Sequence, residues 1–278
     1  MISDFLPLLF PLIATGILSG FVAGLLGVGG GIIIAPIIAY LLTSHGLHTH
    51  MPMHVAIGSS LAVIVPTSII SARTHTRLSN VDFDVVRRLG PVVFLGAMGG
   101  AVVASWLDNH SLKIIFGLLA LMMSILFLIK MVEIRTDLPS FWPRSVLGGA
   151  IGLISTLVGI GGGSLTVPTL SACGWPIRRA VGTSALMGIV IAVPGMVSYM
   201  IVGAGRVTDL PFSTGFIWWP AVIIISIAAY FTAPLGAFLS VRLPQSYLRM
   251  TFGIFLMIVG SRLIYKGYDG GGLSFVFG

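Results

Sequence analysis

Six stretches of about 20 apolar residues run through this chain, at roughly 54–74, 89–107, 112–131, 179–203, 216–241 and 247–265. Each is long enough to cross the hydrocarbon core of a bilayer as a helix. Charged residues are 8% of the 278 positions, against about a quarter in a soluble domain, so the chain cannot cover a water-soluble surface. It reads as an all-α polytopic membrane protein. That excludes most soluble enzymes and any disordered or disulfide-built secreted scaffold. The single cysteine, Cys173, has no internal partner to oxidise with. No cleavable leader is expected, because Asp4 precedes the first apolar run and no basic region leads it. The formal net charge of +7 is read as loop topology, not as nucleic-acid binding.

The acids are Asp4, Asp82, Asp84, Asp108, Glu133, Asp137, Asp209 and Asp269, and none falls in the middle of an apolar run. Cation sites and proton relays in membranes are usually built on buried carboxylates. An interior offering only backbone N–H groups and Ser/Thr hydroxyls suits an anion better.

The chain repeats itself. Residues 13–38 and 145–170 align at an offset of 132, which carries Gly16, Gly20, Gly27, Gly29, Gly30, Gly31 and Pro36 onto Gly148, Gly152, Gly159, Gly161, Gly162, Gly163 and Pro168. Ala56-Ile57-Gly58-Ser59-Ser60 matches Ala180-Val181-Gly182-Thr183-Ser184. A third block joins Gly100, Leu107, Leu112, Lys113, Phe116 and Gly117 to Gly236, Leu243, Leu248, Arg249, Phe252 and Gly253. The expected organisation is a first repeat at 1–131, a linker at 132–144 and a second repeat at 145–278.

Each half ends in three runs of spanning length. Before them, residues 145–173 form two apolar arms of about 12–14 residues around Gly159–Gly163, each covering only about 20 Å. A re-entrant helical hairpin fits, or one span broken at the glycines, giving 8–10 membrane segments in total. In the first half, residues 5–12 lengthen the first arm. Gly16, Gly20 and Gly24, and Gly148 and Gly152, recur at spacing four, which favours close helix packing.

The segments around 73–88, 130–144, 178–179 and 242–249 hold 11 of the 15 basic residues and fall on one side. By the positive-inside rule that side, with the central loop, is cytoplasmic and both termini are outside. Lys113, Arg206, Arg262 and Lys266 fall on the other side. Each half crosses an odd number of times, so the repeats are expected to be inverted, a plan that places a transport site near the midplane.

The candidate substrate-binding residues are Gly29, Gly30 and Gly31 with Gly161, Gly162 and Gly163. Glycine admits positive φ, which lets N–H groups converge on an anion, and the second arm of each hairpin begins there with its positive helix end. Pro36 and Pro168 disturb the ladder just beyond. The alternative is a tight turn with no ligand. The spacing is neither a dinucleotide fingerprint nor a P-loop. Ser59, Ser60, Thr183 and Ser184 offer hydroxyls to the same anion, or bond back to their own helix turn. Arg73 and His75 form a weaker gate or proton-sensitive pair, against a simple topogenic cluster. His45, His48, His50 and His54 lie in the loop before a span, where His45, His48 and His50 bind a metal on the outer face or the loop is merely solvated. No catalytic set, cofactor site or assigned metal site is expected, so the chain is not read as an enzyme.

These motifs resemble the sulfite exporter TauE/SafE family of bacterial permeases over nearly the whole chain. The resemblance rests on G-x-G-G-G-x4-P in both halves, A-[IV]-G-[ST]-S, the His75–Asp82 segment HTRLSNVD and L-x4-L-[KR]-x2-F-G. Ser79 stands in HTRLSNVD where a glycine is expected. Membership implies transport of sulfur-containing anions, such as sulfite, sulfoacetate or other sulfonates, across the inner membrane. Together these readings give a secondary transporter working by alternating access, with export expected. A passive anion channel through the same pore, and a metal-binding or sensory protein using the histidine loop, are the alternatives. Its partners are then a small anionic substrate and the lipid bilayer, with a homo-oligomer allowed and no nucleic acid.

Overall fold

The computed structural model describes residues 2–26, 29–44, 49–128, 141–239 and 245–269. Ten helices are found among them: α1 (Ile2–Leu26), α2 (Gly31–Ser44), α3 (Pro52–Arg77), α4 (Phe83–Trp106), α5 (Asn109–Leu128), α6 (Phe141–Val158), α7 (Gly163–Ala172), α8 (Ile177–Val202), α9 (Trp219–Leu239) and α10 (Gln245–Asp269). Six of these, α1, α3, α4, α5, α8 and α9, are long and apolar enough to cross a membrane. A two-stranded antiparallel ribbon, β1 (Ser213–Thr214) with β2 (Ile217–Trp218), precedes α9.

Local chemistry fixes several ends. Pro52 opens α3, where its missing N–H costs nothing. Asp82 caps α4, its side chain accepting from Asp84 N at 3.1 Å and Val85 N at 3.3 Å. Asp108 does the same for α5 through His110 N and Ser111 N, at 3.1 and 3.2 Å.

The helices before the glycines are longer than expected. The two arms of 145–173 are unequal, 18 residues in α6 and 10 in α7. In the first half they are 25 residues in α1 and 14 in α2. Each half therefore starts with a long helix of about 27–37 Å followed by a half-length one of about 15–21 Å. The extra length of α6 comes from Phe141–Arg144, which lies inside the expected linker; the linker residues before it lie outside the described residues.

The most extensive helix pairings are unchanged when the halves are exchanged. α1 packs on α9 and α6 on α4; α3 meets α9 and α8 meets α4; α2 lies on α3 and α7 on α8; α3 pairs with α8 and α5 with α10. The correspondence extends to atoms. A methyl group on Gly236 would strike Phe21 O and Leu25 N, and one on Gly100 would strike Leu153 O and Leu157 N. These are the same positions under the two sequence offsets. The glycines at spacing four serve this packing: Gly16, Gly20 and Gly24 abut Ala228, Ala229 and Ala233 of α9, and Gly152 abuts Val93 and Ala97 of α4.

The centrally placed α3 is buried along most of its length. Phe10, Leu95, Ile201, Phe231 and Ile258 are exposed on the outer helices, an apolar surface that suits lipid and not water.

Candidate functional site

The two glycine segments touch. Gly29 and Gly30 have φ of +75° and +72°, and Gly159 has +68°, conformations that side-chain-bearing residues rarely adopt. A Cβ on Gly29 would lie 3.1 Å from Gly161 Cα, and one on Gly31 would strike Gly159 O. Gly162 sits equally tightly against Gly188 N of α8, at 3.0 Å. Both segments are buried. The structure thus brings the two segments into contact at Gly29 and Gly161 and at Gly31 and Gly159, while Gly30 packs against Ser19 of α1. Gly27, the first glycine of the motif, lies outside the described residues.

Helices α2 and α7 start at this centre. Ile33 N and Ile34 N donate to Gly30 O at 3.0 and 3.2 Å, and Thr166 N donates to Gly162 O at 2.9 Å. The N–H groups of Gly30, Gly31, Ile32, Gly161, Gly162 and Gly163 donate to no described residue. They belong to the first turns of two helices, where N–H groups have no partner within the helix. Both helices run through their prolines, Pro36 and Pro168, without a break.

The four hydroxyls divide. Ser60 Oγ donates across the centre to Gly159 O at 2.8 Å and lies 3.3 Å from Gly31 O. Ser59 Oγ accepts from Trp218 N at 2.9 Å, at the start of α9. Thr183 Oγ1 accepts from Asp82 N at 2.9 Å, at the start of α4. The last two are one contact written twice, since Trp218 and Asp82 correspond under the third-block offset. The glycine before each hydroxyl makes room for the approaching chain: a Cβ on Gly58 would strike Phe216 O and one on Gly182 would strike Asn80 O. The A-[IV]-G-[ST]-S motif is therefore a clasp between halves. Ser184 Oγ donates to Val181 O in its own helix at 2.8 Å.

His75 is buried against the Gly24 backbone, whereas Arg73 is exposed. His54 is a correction. It lies inside α3, fully buried, with Nε2 donating to Ala104 O at 3.0 Å and its ring 5.0 Å from that of Phe216. The proline at helix position one pulled it out of the loop. His45 and His48 lie outside the described residues, and among the described residues no group of three His, Cys, Asp or Glu could hold a metal ion. Ser79 has φ of +55°, which explains why glycine is expected there.

Sequence reasoning passed over a second feature. A cavity of about 520 Å³ lies between α2, α5 and α10, with Lys113, Arg262 and Lys266 at its rim. The spacing of four between Arg262 and Lys266, on the side already shared with Lys113, was the available signal.

Fold and surface define a multi-pass helical membrane protein. The sequence profile described as "Sulfite exporter TauE/SafE" matches residues 12–263, and the chain belongs to that family. It is similar to a probable membrane transporter protein of Haemophilus influenzae, 36% identical over 90% of this chain and 96% of that one. Probable membrane transporter proteins of Methanocaldococcus jannaschii and Bacillus subtilis are 27% and 29% identical, each over 92% of this chain and 96% and 97% of their own length. No solved structure matches it. Family and relatives make the chain a membrane transporter.

Proposed function

We propose that this chain is a secondary transporter that moves a small sulfur-containing anion, sulfite or an organosulfonate, out across the inner membrane by alternating access. The observation that carries the reading is the contact of the Gly29–Gly31 and Gly161–Gly163 segments, where α2 and α7 begin and their first-turn N–H donors lie. Such donors favour an oxyanion and need no buried cation beside it. Backbone of this kind is tolerated inside a membrane protein where it is enclosed by protein.

In this reading the repeats 1–131 and 145–278 are inverted relative to one another, the central loop is cytoplasmic and both termini are outside. The exchange-invariant packing of the halves supports a machine with two equivalent poses. The tips are in contact, so the anion parts them on binding. Ser60 marks which polar group must then find a new partner. No acid lies in the middle of a span to carry a proton, and sulfite, which titrates near neutrality, carries one itself.

The test is counterflow in proteoliposomes. Vesicles loaded with unlabelled sulfite or propanesulfonate should accumulate the labelled anion transiently above equilibrium. Accumulation that never exceeds equilibrium indicates a channel and contradicts alternating access. No movement of either anion contradicts the substrate class.

A further inference from the structure

The cavity between α2, α5 and α10 is large enough for a small organic molecule. Its lining is mostly apolar, Ile33 and Val259 among it, and includes Thr43, Lys113, Arg262 and Lys266. The Arg262 guanidinium carbon lies 5.6 Å, and Lys266 Nζ 5.3 Å, from the centre of the Tyr40 ring. The ring gathers both cations without cancelling their charge. None of the three makes an ion pair with a described residue. Asp108, at the same end of α5 as Lys113, is already engaged in capping that helix. At the other end, the Ile33 N–H donates to Gly30 O. The cavity thus runs from three cations that form no ion pair with a described residue to within one helical turn of the glycine centre.

The same place exists in the other half. The offsets carry Ile33 to Leu165, Phe255 to Leu119 and Val259 to Met123. Those three residues line a void of about 10 Å³ together with Ile160 and Ser164, room for about one water molecule. In sequence, the offset also carries Lys113 to Arg249 and Lys266 to Lys130, both basic. Among the described residues the first place is a cavity of about 520 Å³ and its counterpart a void of about 10 Å³; Lys130 and the Arg249 side chain lie outside them.

We propose that the α2–α5–α10 cavity is the open vestibule for the transported anion. Lys113, Arg262 and Lys266 draw in its charged head, and the apolar walls take a short hydrocarbon body. The void behind Leu119, Met123 and Leu165 is the same vestibule in its closed form. This rests on the transport reading and extends the substrate from sulfite to organic anions, such as a sulfonate on a short aliphatic chain. Exchanging the conformations of the two halves shuts the first passage and opens the second.

The test uses Val259→Cys, in the open cavity, and Met123→Cys, at the closed one, each in full-length Cys173→Ser protein in phosphatidylcholine vesicles. The thiols are treated with an anionic sulfonatoethyl thiosulfonate reagent and with its neutral methyl analogue. The anionic reagent should modify Val259→Cys at least about tenfold faster than Met123→Cys. Adding Arg262→Gln with Lys266→Gln should slow it about tenfold and leave the neutral reagent's rate unchanged, which also shows that the cavity has kept its shape. Arg262→Lys with Lys266→Arg should restore the rate, and propanesulfonate should protect the Val259→Cys thiol. Equal modification at the two sites, or an anionic rate insensitive to the charge changes, overturns the proposal. So does protection by phosphatidylglycerol vesicles without protection by propanesulfonate, which assigns the cavity to a lipid headgroup. If the Cys173→Ser parent moves no sulfonate, the transport reading fails, and the protection result still decides whether the cavity binds an organic anion.

Discussion

Ser60 Oγ donates to the Gly159 carbonyl at 2.8 Å, joining the middle of α3 to the glycine segment of the opposite half. The same oxygen lies 3.3 Å from Gly31 O, so one hydroxyl ties both tips. Ser60→Ala removes the tie and leaves a buried carbonyl without its donor, a loss of about 1–3 kcal/mol. A lower Tm of the detergent-purified protein checks this. An unchanged Tm contradicts the tie.

The clasp between halves gives a paired expectation. Ser59→Ala exposes Trp218 N, and Thr183→Val exposes Asp82 N. Each should destabilise by about 1 kcal/mol, and the two shifts in Tm should be alike because the contacts correspond.

Asp82 adds a pH dependence. The Trp175 indole N–H, 3.0 Å from Oδ2, and then the N–H groups of Val85 and Asp84 hold its carboxyl below the ordinary value of 3.8. A depressed carboxyl stabilises the fold above the ordinary value, and that contribution is lost as pH falls through the depressed one. Melting curves from pH 6 downward should therefore show a loss for the parent that Asp82→Ala lacks, from a lower starting Tm.

Ser79 holds a left-handed conformation with φ of +55°. Ser79→Gly relieves a strain of about 1 kcal/mol, partly offset by the freer unfolded chain. The expected result is a Tm equal to or above that of the parent. A clear drop contradicts the strain.

Much of the fold is legible in the sequence because glycine and proline keep their places in both halves. Gly29–Gly31 and Gly161–Gly163 announce themselves this way, and their meeting follows from the repeat. The clasp is not legible: Ser59 and Trp218 are 159 residues apart, and nothing local marks a serine as the cap of a distant helix. The ribbon before α9 reads as part of a span because Phe216–Trp218 are as apolar as the helix they lead into. The unequal arms are not legible because Phe141–Arg144 mixes aromatic, proline and basic residues, a composition that reads as a loop end although the helix starts there. The cavity is not legible because Lys113, Arg262 and Lys266 read equally well as topology signals.

The central claim is that main-chain amides of the two glycine segments hold the anion. Selenite has the shape and charge of sulfite and scatters X-rays anomalously, so a structure of the protein with selenite tests the claim most directly. The expected result is an anomalous peak within hydrogen-bond reach of the N–H groups of Gly30, Gly31, Gly161 or Gly162, with Ser60 turned away from Gly159. A bound selenite held elsewhere, with those segments still in contact, would contradict it.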